Sequence, residues 1–253
     1  LGSVECKITM SARILVTGVN GQVGGAIMAV KDYYPFEFIP ISRAEWDMAK
    51  EPEKAAELIE QHQPDIVINP AAYTNVDGAE DNKETAFSVN ATAVCDLAKA
   101  CQQADIPLLH VSTDYVFDGT KEMPYTEVDP INPINVYGKS KAEGERLVRE
   151  VLNAHIILRT SWVFSAAGKN FVTTMRRLGK ERDELKIVND QRSGPTSADC
   201  IANVLMSIVS QYLQGREIPW GTYHYAGLPI VSWYEFAEAI FEEKKITKEK
   251  LSP

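Results

Sequence analysis

Arg13-Ile-Leu-Val-Thr17, followed at once by Gly18-Val-Asn-Gly21-Gln-Val-Gly24, decides how the rest of this chain is read. The first five residues are mostly apolar, the composition of a short buried strand. The next seven carry a glycine at every third position, and Gly21 to Tyr33 reads as a helix. A strand, a tight glycine turn and a helix in that order aim main-chain N–H groups and the positive end of a helix at one point. That point suits a pyrophosphate.

Outward from that unit, short apolar runs alternate with amphipathic stretches. Phe36 to Ile41 reads as strand two, Pro52 to His62 as a helix, Asp65 to Asn69 as strand three and Glu84 to Ala104 as one long helix. Ile106 to Ser112 is strand four, Val136 to Leu152 a helix and His155 to Arg159 strand five. This alternation predicts βαβ units, hence an α/β, Rossmann-like doubly wound parallel sheet covered on both faces. Beyond Thr160 the pattern loosens. Asn170 to Glu181, Ser197 to Gln214 and Val231 to Lys245 read as helices, the last capped by Ser232, with Leu185 to Val188 a strand. The expected division is a nucleotide-binding domain over 12–164 and a smaller C-terminal substrate-binding lobe over 165–253. That lobe is interleaved with the last strands and open to truncation at Pro253.

The chain has 253 residues, 45% of them hydrophobic and 24% charged, enough for a full core in an ordinary globular protein. Its net charge of −9 argues against nucleic acid or an anionic membrane as partner. Cys6, Cys95, Cys101 and Cys200 show no metal spacing and are expected to be free buried thiols of a cytoplasmic protein. Leu1 to Ala12 lacks a signal-peptide core and reads as a leader. The charges from Glu242 to Lys250 are expected to be a solvated helix face. His62, His110, His155 and His224 share no metal spacing and are expected on strand or helix surfaces.

Chemistry concentrates in Ser112-Thr-Asp-Tyr-Val-Phe-Asp-Gly119 and Tyr137-Gly-Lys-Ser-Lys141. Tyr137 is the only tyrosine with a lysine four residues on, which puts both side chains on one helix face. A phenol can protonate a carbonyl oxygen while hydride attacks its carbon, and a nearby ammonium can lower the phenol's pKa. At the end of strand two, where NAD-binding units carry a carboxylate for the ribose 2′-hydroxyl, the sequence reads Ile41-Ser42-Arg43. Arg43 can pair a 2′-phosphate, so NADPH is expected, with NADH the alternative because Asp47 lies close.

These segments, with Asn69-Pro-Ala-Ala-Tyr-Thr-Asn-Val-Asp77, Arg159-Thr-Ser-Trp-Val-Phe164 and Asp190-Gln-Arg-Ser-Gly-Pro-Thr196, resemble the extended short-chain dehydrogenases. The GxxGxxG spacing is the short-chain form. Within them the likeness over about residues 12 to 245 is greatest to the dTDP-4-dehydrorhamnose reductase family. That resemblance implies NADPH-dependent reduction of a dTDP-sugar ketone, with Thr113, Tyr137 and Lys141 catalytic. It implies a cofactor site of Gly18, Asn20, Gly21, Gln22, Val23, Ser42, Arg43, Asp47, Met48, Ala71, Ala72, Tyr73, Asn90, Val111, Tyr137 and Lys141. Thr113, Asp114 and Trp162 would contact the sugar. Tyr115 stands where related dehydratases carry an acid-base pair, which argues for plain reduction. The family includes Mg-dependent dimers bridged by a glutamate whose position here is Ala26, so no metal and a monomer or weak homodimer are expected. Two rivals stand beside this reading. One is another nucleotide-sugar reductase or epimerase. The other is an NADP-binding regulatory subunit similar to that of methionine adenosyltransferase, against which Trp162-Val-Phe164 weighs. Gln191 and Arg192 could reach a substrate diphosphate or merely form a turn.

Overall fold

A computed structural model describes residues 11–166, 168–243 and 251–252. Most of the leader, Cys6 and most of the Glu242 to Lys250 stretch therefore lie outside the described residues, as does the end of the helix expected to reach Lys245. In chain order the elements begin β1 (Arg13–Thr17), α1 (Gln22–Val30), β2 (Glu37–Ile41), α2 (Ala55–His62) and β3 (Ile66–Asn69). There follow α3 (Val76–Asp81), α4 (Lys83–Phe87), α5 (Ala93–Gln103), β4 (Leu108–Thr113), α6 (Val136–Val151) and β5 (His155–Thr160). Last come β6 (Val163–Phe164), α7 (Phe171–Glu181), β7 (Leu185–Lys186), β8 (Arg192–Ser193), β9 (Thr196–Ser197), α8 (Ala198–Leu213), β10 (Gly221–His224), β11 (Val231–Ser232), α9 (Trp233–Glu243) and β12 (Leu251–Ser252).

Six strands form one sheet in the order β10-β5-β4-β3-β1-β2, every pair parallel. Alternation along each strand sends neighbouring side chains to opposite faces. Leu15, Val67, Leu108 and Ile157 meet Leu58 and Ile59 of α2 and Val94 and Leu97 of α5. Ile14, Val16, Ile66, Ile68, Leu109, Ile156 and Leu158 meet Ile27 of α1 and Ile201, Leu205 and Met206 of α8. Burial on both faces is why these strands read as continuous apolar runs. A separate core joins Val172 and Met175 of α7, Leu185, and Ala237, Ile240 and Phe241 of α9.

Three differences from the sequence reading have physical causes. The helix expected over Glu84 to Ala104 is interrupted by a π-helical segment at Ser88–Thr92, which inserts Asn90 between neighbouring elements. Asn90 accepts from the Tyr73 amide at 2.9 Å and donates to the Tyr73 carbonyl at 3.1 Å and to Ser140 Oγ at 2.9 Å. The expected strand at Leu185 to Val188 pairs only over two residues, and Val231 and Ser232 pair with β8 before α9 starts. Ser232 still caps α9, its hydroxyl accepting from the Glu235 amide. The edge strand β10 escaped notice because Gly-Thr-Tyr-His carries no apolar run. With α8, it makes the chain beyond residue 164 part of the sheet layers. Among the thiols, Cys95 and Cys101 are free and buried, whereas Cys200, on the outward side of α8, is exposed.

The helix α6 lies so close to the π segment that a Cβ on Gly144 would sit 2.1 Å from the Asn90 carbonyl oxygen. Main chain cannot yield there as a side chain can. Gly144→Ala is expected to destabilise the fold by about 1–3 kcal/mol, read as a lowered midpoint in urea unfolding followed by circular dichroism.

Candidate active site

The sheet's strand order reverses direction beside β1: β2 lies to one side, β3 and its successors to the other. Crevices at the carboxyl ends of strands open at such switch points. Here the crevice is a cleft of about 1020 Å³ running from the glycine turn to the start of α6. Gly18 at φ +58 makes the turn, and a Cβ there would lie 2.9 Å from Ala71 Cα. The Gly21 amide closes the turn onto the Gly18 carbonyl at 2.8 Å. Gly21 also caps α1 without covering its first N–H groups by any side chain.

At one end the cleft is lined by Ser42, Arg43, Asp47 and Met48. Arg43 is exposed and sits 3.6 Å from the Asp47 carboxylate. Gly18, Asn20, Gly21, Gln22, Val23, Ala71, Ala72, Tyr73 and Val111 follow, then Thr113, Asp114, Tyr137, Lys141 and Trp162. Of the catalytic, cofactor and sugar residues that the resemblance implied, Asn90 alone stays outside the lining, one layer back, clamping Tyr73. Gln191 is not brought to the cleft, nor is Arg192, which pairs with Glu235 at 2.9 Å. Trp162 holds a left-handed backbone at φ +46, and its ring stacks on Trp233 with centroids 3.4 Å apart. Trp233, at the start of α9, carried no signal in the sequence beyond its helix.

The reacting corner is set by α6, which Asn135 caps by accepting from the Gly138 amide at 2.7 Å. That places Tyr137 beside Thr113, near enough for the threonine hydroxyl to act on the phenol. Burial pushes the Tyr137 phenol above its ordinary range, with the Asp114 and Tyr115 charges adding to the effect and the Thr113 bond opposing it. Tyr115 meets Tyr137 edge-on at 5.5 Å. Burial lifts Asp114 to about 6. Lys141 is 1% exposed, and desolvation brings its ammonium down to about 8. Its Nζ donates to the Val111 carbonyl at 2.8 Å and meets His110 Nε2 at 3.1 Å. The expected lowering of the phenol's pKa by Lys141 is therefore not seen. The ammonium is tied to β4, and desolvation of the phenol dominates.

His110 and His155 correct a second expectation, since both are buried rather than on a strand surface. A sheet covered on both faces has no such surface in its central strands. One turn beyond Lys141, Glu145 is fully buried. It accepts from Ser112 Oγ at 2.6 Å and from Arg159 Nε and Nη2 at 2.9 and 2.7 Å. Burial alone would raise its pKa, yet the Arg159 guanidinium and these bonds hold it below the ordinary value. Arg159 in turn lies over the Phe117 ring, 5.1 Å from its centroid. Nothing in the sequence linked the two charges, one in a helix rich in charged residues and the other in an apolar strand.

A parallel sheet with a glycine turn, an open helix N-terminus and a buried Thr-Tyr-Lys corner defines a nucleotide-binding α/β protein of the short-chain dehydrogenase type. The RmlD substrate binding domain family model matches residues 12–253, and the chain belongs to that family. A dTDP-4-dehydrorhamnose reductase of Aggregatibacter actinomycetemcomitans is 46% identical over 92% of this chain and 79% of its own length. Among solved structures, a dTDP-4-dehydrorhamnose reductase ortholog of Clostridium acetobutylicum superposes with a TM-score of 0.88 at 37% identity, covering 95% of this chain and 83% of that one. The Bacillus anthracis enzyme of the same name, solved in complex with NADP, gives a TM-score of 0.86 at 35% identity over 94% and 82% of the two chains.

Removing Arg159 leaves a buried carboxylate with only the partly exposed Arg149 beside it. Arg159→Met is expected to lose about 3 kcal/mol of stability at neutral pH. In the parent protein Glu145 has a depressed pKa, so its contribution is full above the unfolded carboxylate value and fades as pH falls through the folded one. The gap between parent and variant in guanidinium unfolding should accordingly narrow in acid.

Proposed function

We propose that this protein is an NADPH-dependent oxidoreductase that reduces the 4-keto group of dTDP-4-dehydro-L-rhamnose to give dTDP-L-rhamnose. The observation that carries the reading is the placement of Thr113, Tyr137 and Lys141 at one end of a single cleft whose other end is the glycine turn. The 46% identity to a named reductase supports the substrate, and the NADP complex of the Bacillus anthracis relative supports the cofactor.

The cradle fits a dinucleotide. Gly18 leaves no room for a Cβ, and the α1 N-terminus is free of side-chain caps, which suits a pyrophosphate. Gly21, Gln22 and Val23 would hold it, Asp47 and Met48 would flank the adenine, and Ser42 with Arg43 would meet a 2′-phosphate. Ala71, Ala72, Tyr73, Val111 and Lys141 would line the nicotinamide side, with Asn90 supporting Tyr73. When bound, NADPH supplies the hydride that reduces the ketone. The chain's own task is the oxygen. Thr113 and Tyr137 converge on it as charge develops, and preorganised donors in a dry site lower such a barrier by several kcal/mol. Tyr137, whose phenol burial keeps protonated, yields its proton to that oxygen, and the Thr113 hydroxyl favours the phenolate left behind. Asp114 and Trp162 would position the sugar.

In this reading residues 12–164 chiefly serve the cofactor, while 165–253 adds Lys169, Asn170 and Trp233 to the sugar end. We place the enzyme in the cytoplasm as a monomer or weak homodimer. Tyr137→Phe keeps the ring and removes the proton donor. Turnover of dTDP-4-keto-6-deoxy-L-lyxo-hexose, followed by NADPH absorbance, should drop roughly 10²- to 10⁴-fold while NADPH affinity stays near that of the parent. No NADPH oxidation by the parent protein would overturn the proposal.

A further inference from the structure

Lys141 cannot be understood alone, because an ammonium buried this deeply needs acceptors for its protons. The Val111 carbonyl takes one at 2.8 Å. The second neighbour is the imidazole of His110, wholly buried with its Nε2 3.1 Å from Nζ. Behind it a chain of buried polar groups runs across the sheet: His110 Nδ1 lies 3.2 Å from Asn69 Nδ2, and Thr17 Oγ1 donates to Asn69 Oδ1 at 2.6 Å. Thr17 is the last residue of β1, directly before the glycine turn.

We propose that His110 is a positioning residue for Lys141: a neutral imidazole whose Nε2 accepts one ammonium proton while the Val111 carbonyl accepts another. This deepens the reductase reading and rests on it for the role of Lys141. With two of its three protons committed to β4, the ammonium has one left to direct into the cleft.

The proton count fixes the rest of the chain. A neutral imidazole that accepts at Nε2 must carry its proton on Nδ1. The Asn69 main chain also favours protonation of this ring. The proposed tautomer therefore turns the Asn69 amide over from the arrangement above, its oxygen toward Nδ1–H and its NH₂ toward the Thr17 oxygen, which accepts as readily as it donates. The opposite polarity would send Nε2–H toward Lys141 and demand a neutral amine. Burial and the Lys141 charge hold His110 well below its ordinary pKa, so the ring stays neutral beside the ammonium. Lys141 at about 8 is still mostly ammonium at neutral pH, with the Glu145 charge favouring that form.

Other ionisable groups around the pair come from each neighbouring element. Tyr137 and Glu145 lie on α6, and Glu145 is committed to Ser112 and to the guanidinia of Arg159 and Arg149. Asp114 and Tyr115, just past β4, act on Tyr137. Asp77 of α3 acts on Tyr115. β3 and the π segment contribute the neutral Asn69 and Asn90.

The test has one arm that needs no variant and no turnover. In long-range ¹H–¹⁵N spectra of the ¹⁵N-histidine-labelled protein at neutral pH, His110 should show a protonated Nδ1 and an unprotonated Nε2, and should not titrate through the ordinary histidine range. A proton on Nε2, or an ordinary titration, overturns the proposal. The second arm is the alkaline limb of the pH–kcat/KM profile. Loss of the acceptor in His110→Leu disfavours the ammonium, so the limb should move to lower pH by about one to two units, the effect of one hydrogen bond to a charged group. His110→Gln, whose amide oxygen can still accept, should return the limb close to its original place. Equal, pH-independent losses in both variants would mark His110 as structural filling and overturn the proposal. If the parent turns over no sugar, the reductase reading fails, and the tautomer still decides the His110–Lys141 pairing.

Discussion

The buried carboxylate of Glu145 is the fastening on which the reactive corner depends. It joins three elements that hydrophobic packing alone would leave free to slide: its own helix α6, the strand β4 through Ser112, and β5 through Arg159. Apolar contacts are indifferent to a shift of a fraction of an ångström, whereas two short charge-assisted hydrogen bonds to a guanidinium are not. One turn before Glu145 stands Lys141, and one turn earlier still Tyr137. Ser112 precedes Thr113 in β4. Fixing Glu145 therefore fixes the phenol beside the threonine hydroxyl, the separation on which the proposed proton transfer depends.

Desolvation explains the electrical character of the same corner. Tyr137, Lys141, His110 and Asp114 all have pKa values displaced toward their neutral forms, with burial the leading cause in each case. Such displacement is costly for a fold, and it is tolerated where chemistry gains from it. The proposed reaction needs a phenol that holds its proton until an oxyanion forms beside it. The glycine turn at the cleft's other end imposes a different constraint, steric rather than electrical, by keeping side chains away from the α1 N-terminus.

Much of this was legible in the sequence because it rests on local rules. The strands showed as apolar runs, the turn as glycines after a strand, and the Tyr137–Lys141 pair as helical spacing. What stayed hidden depends on partners far along the chain. His110 looked like a lone histidine on a strand, and only the sheet's pairing brings it opposite Asn69 and beside a helix that carries Lys141. Glu145 and Arg159 read as two unrelated charges. The π segment was invisible because a single inserted residue leaves the helical pattern intact, and β10 because its four residues are half polar. Trp233 acquires meaning only through its stacking on Trp162.

The proposed function requires this cleft to bring a dinucleotide's hydride to a sugar carbonyl held by Thr113 and Tyr137. Deuterium tracing tests it most directly. With NADPH deuterated at the transferring C4 position of the nicotinamide and dTDP-4-dehydro-L-rhamnose as acceptor, proton NMR of the product should show the label at C4 of the sugar. A product without the label there, or binding of both ligands with no product, would contradict it.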